Sequence, residues 1–269
     1  MDARREAWRM TDPGIRATVR GGIRDATATT AAADSASVAA AATAVMPVGS
    51  LEQHGPHLPV STDSVIASEV SRMVAEQNGY LLMPVIAYGV SYEHAPLFNA
   101  STSPDSLSRM ISDLCGSLYG SGICNIIIIN GHHGNMEALG RLERLVKDST
   151  GNGGGPAVRV FHYWRYMQRQ QELGHAGFAE TSMMLAISAG SVRMDLAQKG
   201  LVTDGMPPER VREISELAKR SFPEATGNGV WGDPAGATAE AGRRLLGESA
   251  DGISVACAEW LGGSAAQAG

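Results

Sequence analysis

Apolar and polar positions along the chain fall into stretches of two alternating periods. "TAVMPVG" (43–49) is a short apolar run that reads as a buried strand. Past a polar, proline-rich stretch, Val65, Ile66, Val70, Met73 and Val74 recur at helical spacing, so a helix begins at Asp63 or Ser64. "YLLMPVIAYG" (80–89) is a second strand pattern, interrupted by Pro84. Over 103–122 the spacing predicts a helix with Pro104 near its first turn and Leu107, Met110, Ile111, Leu114 and Leu118 on one face. "NIIIIN" (125–130) is an unbroken β-branched run, which implies a strand buried on both faces, as in a parallel sheet. A helix follows from Asn135 to Lys147, then a strand over 157–164 and a helix over 179–188. "GNGGGP" (151–156) reads as a flexible surface connection, and the Ala/Thr/Ser-biased segment 26–42 as a flexible or partly helical insertion. Strands and helices alternate without a repeat or an interdomain linker. The expected architecture is α/β: a single compact domain over 43–262, its central, mostly parallel sheet flanked by helices, preceded by an N-terminal segment, 1–42.

Composition narrows the function more than the fold. The 269 residues are 43% hydrophobic and 19% charged, enough to bury a full core. A net charge of −6 leaves no basic footprint for nucleic acid or anionic lipid. "MDARREAWRM" is too charged for a secretory signal, and the apolar stretch 38–48 is broken by Pro47 and too short to span a bilayer. Cys115, Cys124 and Cys257 are odd in number and lack CxxC spacing, so neither a disulfide framework nor a thiolate zinc site is expected. The expectation is a cytoplasmic, soluble protein without nucleic-acid or membrane partners.

Three polar clusters each follow a predicted strand, where ligands of open parallel sheets collect. The first holds Glu52, His54 and Asp63 in "GSLEQHGPHLPVSTD"; Glu52 and His54 are two apart and leave an extended segment on one side. Asp63 stands where a helix begins and has a helix cap as its competing explanation. The second is "NGHHGN" (130–135), where Gly131 and Gly134 let the backbone turn sharply around His132 and His133. The third is "GHAGFAETS" (174–182), with His175 within reach of a bound substrate as proton donor and Glu180 in a helix's first turn, where the macrodipole alone favours a carboxylate. Imidazoles and carboxylates together suit Zn²⁺, Mn²⁺ or Fe²⁺, and one carboxylate can bridge two ions. His57 reads as structural and His162 as a packed core histidine. His94 either lines a pocket or caps a turn. Tyr92, Trp164 and Trp231 fit core or interface positions better than substrate walls, although Tyr92, His94, His133 and Asn135 remain candidates for substrate binding.

Taken together, these three motifs resemble the creatininase (creatinine amidohydrolase) family, and "NGVWGDPAGATAEAGRRLL" (228–246) resembles its C-terminal signature. The likeness runs from about 43 to 247. It implies a compact α/β fold with a parallel sheet, a dinuclear metal centre with two divalent ions per chain, and a homohexamer. It also implies Glu52, His54, Asp63 and His132 as metal ligands, with Asp63 bridging. Creatininase proper carries a glutamate two residues after the histidine matching His132; this chain has Gly134, and Glu180 is the natural replacement ligand. The glycine form is shared with formamidopyrimidine-nucleotide deformylases and mycofactocin peptidases, which makes creatinine a poorer candidate substrate.

The chemistry implied is hydrolysis of an amide or formamide C–N bond in a small cyclic or formylamino substrate, by metal-activated water with His175 and Glu180 as catalytic residues. A mycofactocin-type peptidase and a non-catalytic, metal-stabilised family member are the alternatives. A mononuclear Fe(II) oxygenase built on His54, Asp63 and His132 is disfavoured by Glu52, because a fourth protein ligand leaves too few open positions.

Overall fold

Both faces of the chain's apolar runs are covered, and the strand register shows how. A computed structural model describes residues 5–27, 42–149, 154–168 and 174–267. Four parallel strands, β1 (Thr43–Val48), β2 (Leu81–Leu82), β3 (Asn125–Asn130) and β4 (Ala157–His162), lie in the spatial order β2–β1–β3–β4. In β3, Ile127 and Ile129 pack into one core with Val45 and Phe161, while Ile126 and Ile128 pack into a second with Ala44 and Met46. That two-residue alternation is why a strand between two helical layers must be apolar at every position.

The helices are α1 (Asp12–Thr27), α2 (Thr62–Asn78), α3 (Pro104–Gly120), α4 (Met136–Gly140), α5 (Leu142–Ser149), α6 (Phe178–Ser188), α7 (Pro208–Ala218), α8 (Phe222–Thr226) and α9 (Ala239–Gln267). α2, α6 and α9 cover the first face through Ile66, Val70, Met183, Leu245 and Ile253. The second face is covered by Leu107 and Ile111 of α3, Leu142 and Val146 of α5, and Val19 of α1.

Several elements depart from the sequence expectation. The strand expected over 80–89 closes after two residues, since Pro84 offers no donor; the chain returns to β1 only as a single bridge between Val48 and Ile86. The helix expected over 135–147 is divided at Arg141 into α4 and α5, after a 3₁₀ turn at His133–Asn135. β4 stops at His162, and Tyr163–Tyr166 form a 3₁₀ turn. α1, α7, α8 and α9 were not anticipated. Most of the Ala/Thr/Ser-rich stretch (28–41) and half of the glycine-rich connection (151–153) lie outside the described residues. Among the described residues no helix is long and apolar enough to cross a membrane.

Candidate metal centre and the cavity above it

The register sets Val48, Asn130 and His162 level at the carboxyl edge of the sheet, so the loops after β1 and β3 start side by side. A bond from Glu52 N–H to Val60 O (2.9 Å) and one from Gln53 N–H to Phe98 O (2.7 Å) hold the first loop. Gly131 lets β3 end against the first turn of α2, where a Cβ would meet Asp63 O at 2.5 Å. α2 has Ser61 as its N-cap, and Asp63 turns into the site.

Asp63 is the centre of the arrangement. Its Oδ1 is 3.1 Å from His54 Nε2 and its Oδ2 is 3.0 Å from His132 Nδ1. The outer nitrogens are tied off: His54 Nδ1 donates to Glu52 O (3.1 Å) and His132 Nε2 to Val90 O (2.8 Å), the carbonyl contacts that orient metal-binding imidazoles. Glu52 accepts from Ser50 Oγ (2.8 Å), and its carboxylate also lies 3.1 Å from His94 Nε2 and 3.2 Å from His132 Nε2. Glu180 enters from the first turn of α6, and Ala176 in the loop just before that helix, at φ 54°, turns its N–H onto Oε2 at 2.6 Å.

Potential ligand atoms gather into sets lying within 4.8 Å of one another: Glu52, Asp63 and His132; His54, Asp63 and Glu180; and Glu52, His54 and His175. The first two share Asp63. The donor chemistry fits divalent cations, and so does the bonding: Glu52 Oε1 and Asp63 Oδ2 are fully buried yet accept no aligned hydrogen bond, despite ring nitrogens about 3 Å away. Buried carboxylate oxygens left unpaired among imidazoles suit a cation between them.

The electrostatics tell the same story. Burial works against charge on His54, but Asp63, then Glu180 and Glu52, lift its pKa to about 10; His132, opposed by burial and lifted by Glu52 and Asp63, also reaches about 10. Burial would raise Asp63, but the two imidazoles hold it well below the usual carboxylate range. Burial pushes Glu180 up to about 7. Burial, then the charge on His54, holds His175 well below the ordinary histidine value.

Above the centre lies a cavity of about 500 Å³. His175 borders it, its ring 4.2 Å from that of His54 and its Nε2 donating to Gln53 O (2.8 Å). His94 is buried in the cavity wall, accepting from Gln53 Nε2 at 2.9 Å. His133 is exposed at the edge, stacked on Trp164 with 5.9 Å between ring centres. Two of the candidate substrate residues sit elsewhere. Asn135 is fully buried behind the cavity, where its amide accepts from Val90 N–H and donates to Gly49 O (both 2.9 Å), so it joins loops. Tyr92 is 56% exposed and is not among the residues that line the cavity.

His57 bridges the first loop to α6 through Thr181 Oγ1 (2.9 Å). His162, expected as a core residue, is half-buried and stacked on Trp164; burial, then Arg165, lowers its pKa to about 4. Sequence reasoning missed Glu93 and Phe222 as cavity residues; Trp164, expected in core or interface, is part of the buried core and also lines the cavity, and Trp231 lines the cavity too. For Trp231 a signal existed in "NGVWGDPAG": its backbone pairs with that of His175, with N···O distances of 2.9 and 2.8 Å. Phe222, in a segment without clear periodicity, offered none.

A parallel α/β sheet with imidazoles and carboxylates gathered at its strand ends is a scaffold suited to holding divalent metal ions. The chain belongs to the creatininase family, whose description, creatinine amidohydrolase, matches residues 26–257. It is 32% identical over 228 residues to the mycofactocin precursor peptide peptidase of Mycobacterium ulcerans (strain Agy99), covering 81% of this chain and 86% of that protein. It is 30% identical over 172 residues to the creatinine amidohydrolase of Pseudomonas putida, covering 56% and 66%. A crystal structure of creatinine amidohydrolase (creatininase) superposes with a TM-score of 0.74 at 22% identity, over 97% of this chain and 99% of that one, a likeness of fold. The chain is a creatininase-family hydrolase acting on C–N bonds.

Proposed function

We propose that the chain hydrolyses an amide or formamide bond with two divalent ions (Zn, Mn or Fe), one held by Glu52, Asp63 and His132 and the other by His54, Asp63 and Glu180. The observation that carries this reading is the position of Asp63, one carboxylate oxygen against each imidazole. Such ions, when bound, lower the pKa of water to about 7 and polarise the scissile carbonyl. Glu180 supplies the carboxylate that Gly134 cannot.

His175 is suited to moving the proton. Its Nε2–H is fixed on Gln53 O, which leaves Nδ1 facing the centre, 3.9 Å from Glu52 Oε1. Held neutral by burial, it takes a proton at Nδ1 from the attacking water and gives it to the departing nitrogen, without which an amide is a poor leaving group. Phe222 packs on the ring at 4.7 Å and Trp231 packs on Phe222 in the same wall, which helps keep bulk water off His175.

A small cyclic or formylamino amide fits a cavity of about 500 Å³. Peptide-bond hydrolysis is the second reading, favoured by the greater coverage of the mycofactocin peptidase likeness than of the creatinine amidohydrolase likeness. A cytoplasmic homohexamer belongs to the proposal, and exposed Tyr88, Leu97 and Phe98 offer apolar surface for such contacts.

The test is to strip the protein with a chelator, reload it with Zn, Mn or Fe, and assay formamides, short peptides and creatinine in parallel. Turnover should appear only after reloading. His175→Ala should keep its metal content and lose turnover by about 10²–10⁴-fold. Equal activity before and after chelation would overturn the reading.

A further inference from the structure

Glu93 stands in the cavity wall with no role in the ligand sets. It is the middle residue of the 3₁₀ turn Tyr92–His94, and its Oε1 comes to 3.1 Å from the point where a Cβ on Gly134 would lie. That point is itself 2.1 Å from Val90 O and 2.5 Å from His132 Nε2, so position 134 admits no side chain and the carboxylate of Glu93 covers the space beside His132. Among the described residues no lysine, arginine or histidine nitrogen comes within 4.0 Å of it. The Glu93 carboxylate feels the nearby His132 and His94 rings and its own backbone but is paired directly with no cationic side chain; a partly buried carboxylate in that position, facing a cavity, is a group that a ligand can complete.

The rest of the wall points to the same kind of ligand. Lys219 is the one lysine or arginine among the described lining residues, and its Nζ is already 2.6 Å from Glu216 Oε1. Asp204 adds a second carboxylate at the mouth. Trp164, Phe222 and Trp231 give flat apolar walls.

We propose that Glu93 is a specificity residue that accepts an N–H or a cationic nitrogen beside the scissile carbonyl, so that the cavity selects amides with a nitrogen donor there and disfavours phosphate-bearing substrates. This rests on the reading of the cavity as the substrate site. Glu93 sets which molecule is held, and the groups around Asp63 act on it.

Benzamidinium, a planar cation with paired N–H donors, and benzamide, its neutral counterpart, are the probes. Each is titrated calorimetrically into metal-loaded wild type, Glu93→Gln, Glu93→Asp and Asp204→Asn, with metal content measured on every sample. Glu93→Gln should weaken benzamidinium at least about tenfold and leave benzamide within about twofold. Glu93→Asp should retain part of the affinity, and Asp204→Asn should weaken benzamidinium less than Glu93→Gln does. Equal loss for both probes, an unchanged benzamidinium affinity in Glu93→Gln, or no benzamidinium binding to wild type would overturn the proposal. A protein that takes up no metal yet shows the expected difference would instead overturn the two-ion reading and leave Glu93 standing.

Discussion

At the scale of single residues, the raised pKa values of His54 and His132 (to about 10) and of Glu180 (to about 7) become a statement about metal uptake. A cation displaces the protons that these groups carry, so loading at pH 6, where all three groups are protonated and water on the ions keeps its protons, should release about three. The sign follows: protons compete with the ions, and apparent affinity falls as pH falls through 7. Calorimetry in two buffers of different ionisation enthalpy measures the released protons. A release well below three at pH 6 would show that His54, His132 and Glu180 do not all give up their protons to the ions. None of these shifts was legible in the sequence, because each depends on burial and on partners from other loops.

At the scale of elements, the loops hold the site because polar side chains replace regular secondary structure. Asn135 joins the loop after β1, the loop before α3 and the end of β3, where its Nδ2 also donates to Asn130 Oδ1 (3.2 Å). Asn135→Ala should therefore cost about 2–3 kcal/mol by leaving Val90 N–H and Gly49 O unpaired in the interior, measured by urea unfolding of metal-free protein. A loss below about 0.5 kcal/mol would contradict that role. β3 was readable from its unbroken isoleucines, and α3 from its apolar face and Pro104. α9 was hidden by its glycines: a Cβ on Gly242 would meet Ser182 O at 1.9 Å, so the residue that reads as a helix breaker is what lets α9 lie against α6. Its buried stripe, Leu245, Ala250, Ile253 and Cys257, includes small side chains that weaken the periodic signal.

At the scale of the molecule, the sheet brings together groups more than a hundred residues apart. Glu52, His132 and Glu180 were legible as candidates because polar clusters recur after strands. Their meeting was an inference from the rule that parallel strands end on one edge. The cavity wall was less legible: Trp164, Phe222 and Glu93 come from turns and short helices whose placement depends on packing. The most direct test of the shared carboxylate is a metal count by elemental analysis on reloaded, desalted protein. Wild type should hold about two ions per chain, Glu180→Gln about one, and Asp63→Ala close to none. A single ion in wild type, or two retained in Asp63→Ala, would contradict a centre joined through Asp63.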